Sequence, residues 1–229
     1  MCRLYAFRST EFTKVECTLV HAQNGLISQS KQDLAGYSHA HGWGVSTYED
    51  DMPHLQRQAW AAYHGEHFAR AAARIYSKTV VAHVRRATVG DPAIENTHPF
   101  IHEQWTFAHN GTVPGFKNLQ QKFLAAMSPE HRDAIEGETD SEHVFRYLLS
   151  LMDKSPDMSL ANAVQTAARN IFRWTNVESP TKRLGLNVIV TDGDQIVGTR
   201  LGRSLSMVKR IGVYDCEICG FPHIHHELN

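Results

Sequence analysis

Met1-Cys2-Arg3-Leu4-Tyr5-Ala6-Phe7 opens the chain with a thiol one residue behind the initiator methionine and an alternating apolar run after it. If Met1 is removed, Cys2 becomes the first residue and carries a free α-amino group. Such an amine titrates near ~7.7 to 8.0 and a thiol near ~8.5, so nucleophile and general base sit on one residue at neutral pH. The same stretch also reads as a buried cysteine at the start of an edge strand. The residues downstream decide between the two readings.

Outward from that strand, Gly42-Trp43-Gly44-Val45-Ser46-Thr47-Tyr48 reads as a strand entered through glycines, which imply close backbone approach, and Glu49-Asp50-Asp51 follows as a turn. Three- and four-residue apolar spacing predicts a helix from about His64 to Ile75. The β-branched run Thr79-Val80-Val81-Ala82-His83-Val84-Arg85 predicts a buried strand ending in charged residues. Trp105-Thr106-Phe107-Ala108 makes a short strand that runs into His109-Asn110-Gly111, a turn signal.

Helical spacing returns between Phe116 and Met127 and again after Thr139-Asp140-Ser141-Glu142, where Thr139 or Asp140 is the N-cap. A further amphipathic helix is expected from Ser159 to about Trp174. Leu186 to Val190 and Gln195 to Gly198 flank Asp192-Gly193 as a hairpin with a tight primed turn, and Ser204 to Lys209 adds another strand. Antiparallel strand runs with helices grouped between them argue for an α+β fold rather than alternating βαβ units.

Taken singly, the polar clusters have ordinary readings: Arg85 capping a strand, Asn110-Gly111 making a hairpin turn, Asp140 capping a helix. Beside an N-terminal cysteine they fit one reaction. Amide hydrolysis by a thiolate needs two donors for the tetrahedral oxyanion, which the Asn110 side chain and the Gly111 N–H can supply. A substrate with an α-amino acid head needs a cationic fork for its carboxylate and an anion for its ammonium, which Arg85 and Asp140 offer. Such a pocket reads a γ-glutamyl group.

Met1-Cys2, Gly42-Trp43-Gly44, His83-Val84-Arg85-Arg86-Ala87-Thr88, Asn96-Thr97-His98-Pro99, His109-Asn110-Gly111 and Gly137-Glu138-Thr139-Asp140-Ser141-Glu142, in that order and spacing, resemble the class II glutamine amidotransferase domain of the N-terminal nucleophile hydrolases. The resemblance implies a four-layer αββα sandwich of two antiparallel sheets between helical layers. It also implies Cys2 as nucleophile, Asn110 and Gly111 as oxyanion hole, and Arg85 and Asp140 as the head-group clamp with Thr88 nearby. No cofactor is implied for catalysis. Arg86 and Val89 stand where sugar-phosphate aminating members typically have tryptophan and histidine. The motifs occupy nearly the whole chain, so residues 1–229 are expected to form one domain of the stand-alone branch. That branch includes γ-glutamyl hydrolases of thiol metabolism and subunits that pass ammonia to a separate acceptor enzyme. Hydrolysis of a γ-glutamyl amide larger than glutamine is the favoured reading, through a γ-glutamyl thioester on Cys2, with the glutaminase subunit as alternative.

Composition sets outer bounds. The 229 residues carry 23 Lys+Arg against 24 Asp+Glu, with no basic patch for nucleic acid or anionic membrane. No signal peptide and no apolar run of about 18 residues is present, so a soluble cytoplasmic protein is expected. The expected partners are glutamine or a γ-glutamyl compound, an acceptor-enzyme subunit, or a second copy of the chain in a homo-oligomer. The four cysteines do not form a disulfide scaffold. Two of them belong to a Cys/His-rich segment at about 214–229, where Cys216, Cys219, His223 and His225 suit a structural zinc. The remaining alternative is therefore a zinc-binding interaction module, or a zinc hydrolase. The spacing is compact and no carboxylate base accompanies it, which argues against catalytic zinc.

Overall fold

Val80, Val81, Ala82, His83 and Val84 are all fully buried, so the strand they form is covered on both faces. A strand of that kind lies inside a layered structure. The computed structural model describes residues 2–224. β1 (Arg3–Lys14) leads into a short π-helix (Cys17–His21), α1 (Leu26–Lys31), β2 (Trp43–Glu49), β3 (Met52–Gln58), α2 (His67–Ala73) and β4 (Tyr76–Val84). β5 (Phe100–His102), β6 (Trp105–Thr112), α3 (Phe116–Ala126), α4 (Pro129–Asp133), α5 (Asp140–Asp153), α6 (Leu160–Glu178), β7 (Gly185–Thr191) and β8 (Ile196–Gly198) complete the regular structure.

Two antiparallel sheets result, ordered β1-β4-β2-β3 and β5-β6-β7-β8. The period of two along each strand sorts their side chains into layers. Val80, Ala82 and Val84 pack outward with Trp43, Val45, Tyr5 and Phe7 against Phe68, Ala71 and Ala72 of α2. Phe107, Leu186, Val188 and Val190 pack outward from the second sheet against α3, α5 and α6. Phe107 stacks on Phe145 at 5.1 Å, and each of these fully buried rings contributes roughly 1.5–3 kcal/mol. Val81, Ala108 and Ile189, with Leu4 and Ala6, fill the space between the sheets. Helices, sheet, sheet, helices: this is the four-layer α+β sandwich expected from the sequence.

The interior between the sheets is polar on either side of that small apolar cluster. At one end the Tyr48 hydroxyl lies 2.9 Å from Thr106 Oγ1 and from the carbonyls of Gln104 and Thr191, and Ser46 Oγ lies 3.0 Å from Thr106 Oγ1. At the other end the His83 and His98 rings lie 4.4 Å apart and tilted by 32°, and neither forms a well-aligned hydrogen bond. Gly44 confirms the expected close approach: a Cβ there would lie 2.4 Å from the His98 carbonyl oxygen.

Several local expectations need correction. His109-Asn110-Gly111 is no turn, because β6 continues through it in register with Val188, Asn187 and Leu186 of β7. Asp192-Gly193 belongs to a four-residue loop in which Asp192 Oδ1 accepts from the Asp194 and Gln195 N–H groups, rather than to a two-residue primed turn. The strand expected over Ser204 to Lys209 does not form. Met207 and Val208 there are almost wholly exposed, with no sheet neighbour to pair with. The first expected helix is shorter than its spacing implied, and the fourth runs on to Glu178. No helix among the described residues is long and apolar enough to cross a membrane.

Burial pushes His83 down to about 3 and His39 down to about 4, so both stay neutral in the folded chain well below their ordinary range. The unfolded chain takes up protons near ~6.5, before the folded chain does, so stability falls as pH drops from about 6.5. By about pH 5 the loss is roughly 2 kcal/mol per buried histidine. The urea midpoint followed by circular dichroism should therefore decline steadily between about pH 7 and pH 5. A flat midpoint over that interval contradicts neutral burial.

Candidate active site

β1 and β4 pair with Arg3 opposite Val84, which carries Cys2 to the end of β4 beside Arg85 and Arg86. The Arg86 N–H donates to Cys2 Sγ at 3.3 Å. Burial pushes the Cys2 thiol up, while that N–H and the Arg85 guanidinium pull it down; the net direction is up. A thiol in this setting is protonated at rest and needs a base to become a nucleophile.

Arg3 points the other way. Its guanidinium donates to the Cys2 carbonyl at 3.0 Å and to Asp33 Oδ2 at 2.7 Å. Burial raises the Asp33 carboxyl, but the N–H groups of Tyr37 and Ala35, the His39 ring and Arg3 outweigh it and hold it at about 2. This Arg3–Asp33–His39 group fixes the backbone behind Cys2. The sequence reading missed it, although an arginine directly after the expected nucleophile was a signal.

Asp140 sits in the first turn of α5, with Thr139 as N-cap accepting from the Glu142 N–H at 3.2 Å. Glu142 does not complete a capping box; its carboxylate accepts instead from the N–H groups of Glu136 and Gly137. Asp140 Oδ2 accepts the Val113 N–H at 2.7 Å, which ties α5 to the end of β6. Beside it His109 Nε2 lies 3.0 Å from the Gly185 carbonyl and Nδ1 lies 2.8 Å from Ser141 Oγ. A carbonyl only accepts, so Nε2 carries the proton and Nδ1 accepts from the serine.

Arg85 is buried, and its two terminal nitrogens donate to the carbonyls of Val89, Gly90 and Asp91 at 2.9 to 3.1 Å. The fork expected to face a substrate carboxylate thus holds its own loop. Asn110 makes no side-chain hydrogen bond with any described residue, and its Oδ1 is buried. Residues facing across an antiparallel pair alternate between bonded and non-bonded pairs. Leu186, opposite Gly111, donates its N–H to Leu201, away from β6. Gly111 is therefore in a non-bonded pair, and its N–H points away from β7 toward the side of β6 that β5 does not reach.

Cys2, Arg85, Thr88, Gly111 and Asp140 line one cavity of about 20 Å³, together with His98 and His109. Asn110 is not part of that lining. Thr88 and Val89 also line a second, larger cleft of about 770 Å³, whose wall carries Lys117, Lys182, Arg183 and Arg203 and, among the described residues, no acidic side chain. Of the residues expected to hold metal, Cys216, Cys219 and His223 come together away from this site. Their fourth neighbour is Cys17 of the π-helix, a residue with no spacing relation to the tail, while His225 lies outside the described residues.

The model for class II glutamine amidotransferases matches residues 1–216, and the chain belongs to that family of enzymes. A probable glutamine amidotransferase of Saccharomyces cerevisiae is 28% identical over 87% of this chain and 63% of its own length. The putative glutamine amidotransferase YafJ of Escherichia coli is 36% identical over 69% of this chain and 60% of its own. The chain thus spans about 60% of the length of these two relatives. A gamma-glutamyl-hercynylcysteine sulfoxide hydrolase of Mycobacterium tuberculosis is 24% identical over 92% of this chain and 81% of its own. Among solved structures, a glutamine aminotransferase class-II domain protein from Silicibacter pomeroyi superposes with a TM-score of 0.55 at 25% identity, covering 72% of this chain and 71% of that one.

Gly111 offers a structural check on the site. A Cβ there would lie 2.0 Å from the Gly185 oxygen and 2.4 Å from His109 Nε2, so β6 and β7 could not keep their spacing. Gly111→Ala should cost about 1–3 kcal/mol or more, read as a lower urea midpoint. An unchanged midpoint means the strands do not approach as closely as described.

Proposed function

We propose that this chain hydrolyses γ-glutamyl amides whose amine portion is larger than ammonia and carries a negative charge, such as γ-glutamyl peptides. The observation that carries this reading is the pair of adjacent spaces. A cavity of about 20 Å³ at Cys2 shares Thr88 and Val89 with a cleft of about 770 Å³ walled by cations. A space of about 20 Å³ holds about one water, so in this reading the loop of residues 89–91 shifts as Arg85 exchanges its contacts, the γ-glutamyl head enters beside Cys2 and the amine portion lies in the cleft. Arg203 stands in the cleft wall with its Nε buried and without a hydrogen-bond partner, and its guanidinium is a group suited to a carboxylate. The likeness to a relative named as a γ-glutamyl hydrolase supports the same choice.

Chemically, removal of Met1 frees the α-amino group of Cys2. The amine takes the thiol proton, and the sulfur attacks the γ-carbonyl carbon as its oxygen becomes an oxyanion. The Gly111 N–H and the Asn110 amide, neither committed elsewhere, donate to that oxygen. Collapse breaks the C–N bond, and the departing amine takes its proton from the α-ammonium. A γ-glutamyl thioester is left on Cys2. Water then attacks it with the α-amino group as base, releasing glutamate and restoring the thiol. Asp140 faces the substrate ammonium. Arg85 takes the carboxylate by exchanging its contacts to Val89, Gly90 and Asp91.

Cys2→Ala should abolish hydrolysis while the circular dichroism spectrum and melting temperature stay close to those of the unaltered protein. Full activity in a preparation whose Met1 is intact by mass spectrometry overturns the N-terminal amine as base.

Substrate choice is read from kcat/KM for free glutamine beside a panel of γ-glutamyl peptides and neutral γ-glutamyl amides. Carboxylate-bearing peptides should exceed glutamine by at least tenfold, and Arg203→Ala should remove that advantage while leaving neutral amides unaffected. A preference for free glutamine that rises when an acceptor protein is added overturns the hydrolase reading in favour of a glutaminase subunit.

A further inference from the structure

We infer that Cys17, Cys216, Cys219 and His223 form a structural zinc site that fastens the C-terminal segment to the end of β1. One ligand atom from each of the four residues lies within 4.8 Å of all the others. Tetrahedral zinc with bonds of about 2.3 Å to sulfur and 2.0–2.1 Å to nitrogen places ligands about 3.6 to 3.8 Å apart, so the cluster needs little adjustment to close around an ion. Cys219 Sγ and His223 Nε2 are already 3.3 Å apart. Three sulfurs and one imidazole match zinc in both number and softness.

The backbone around the cluster is shaped for the task. The Cys216 N–H donates to the Phe221 carbonyl at 3.0 Å and the Gly220 N–H to the Cys216 carbonyl at 2.8 Å, which closes a tight loop over the Cys-x-x-Cys pair. The Ile218 N–H points at Cys216 Sγ from 3.4 Å, a donor that favours a thiolate. Lys14 N–H donates to the His223 carbonyl at 2.8 Å, and Thr13 pairs with Ile224. Those contacts bring the loop alongside the chain just before Cys17, which is buried.

An independent observation points the same way. Residues 206–224 contain no helix or strand, only isolated bridges at Asp215–Pro222 and at Ile224, and Ile211, Val213, Tyr214 and Phe221 are exposed. Apolar burial does not hold this segment, so a metal supplies what a core would. β1 runs beside the nine residues of β4, with Arg3 opposite Val84 and Lys14 opposite Tyr76, so roughly 25 Å of sheet separates the cluster from Cys2, which leaves the ion no part in chemistry at the thiol.

The test is metal analysis of the full chain purified from zinc-replete medium, with cobalt substitution as the second readout. The expected result is about one zinc per chain, and a cobalt form whose spectrum has the intense thiolate band and visible transitions of a tetrahedral site. Exposed Cys219→Ser and buried Cys17→Ser should each reduce bound zinc at least tenfold, and His225→Ala should retain it. Should Cys17→Ser fail to fold, Cys219→Ser with the His225→Ala control decides the matter. A metal-free protein with a Cys216–Cys219 disulfide, or zinc lost from His225→Ala and kept by Cys17→Ser, overturns the assignment.

Discussion

The slot between the two sheets is the constraint on which the rest depends. Every strand that borders it must place one residue in two into a space lined by only a few aliphatic side chains. Next to Val81 on β4, the alternation delivers His83 and then Arg85; next to Ala6 and Leu4 on β1 it delivers Cys2; next to Ala108 on β6 it delivers Asn110. Reactive groups are thus brought together by strand period and register, on elements whose outer faces are locked to helices. The two ends of the slot differ in how polarity is handled. Around Tyr48 the donors and acceptors satisfy one another, whereas toward Cys2 the His83 and His98 rings and Asn110 Oδ1 do not. Unpaired buried polar groups cost stability, and their concentration toward the thiol fits the proposed substrate site.

Much of this was legible in the chain. Hydrophobic period located the central strand and the three long helices, because packing against a sheet demands a continuous apolar stripe. The Asn110-Gly111 pair was misread as a turn because local propensity favours one. Pairing with β7 overrode it, and the glycine is needed there for the approach of the neighbouring strand. The π-helix, α1 and α4 left no usable signal, being too short for periodicity. Cys17 could not be linked to Cys216 from spacing, since about 200 residues separate ligands that only the fold brings together. The cationic cleft was equally hidden: Lys117, Lys182, Arg183 and Arg203 come from three separate stretches of sequence.

Arg85, the head-group cation of the proposed reaction, is satisfied by its own loop. An unpaired guanidinium at that depth would be strongly unfavourable, and the carbonyls of Val89, Gly90 and Asp91 satisfy it in the meantime. In the proposed reaction a carboxylate arriving there would exchange partners instead of filling an empty position, and the loop that holds Arg85 lines both cavities through Val89.

The edge position of β1 has a consequence for how the molecule behaves in a crowded solution. A sheet's outermost strand offers unpaired backbone groups that can template addition of a foreign strand. Here the far end of β1 is occupied by the Thr13–Ile224 bridge and the Lys14–His223 hydrogen bond, while Arg8 and Glu11 put charge along its exposed stretch. The tail therefore also acts as a cover: whatever loosens it uncovers a ready partner for strand addition, and the first symptom would be self-association of chains whose interior is still intact.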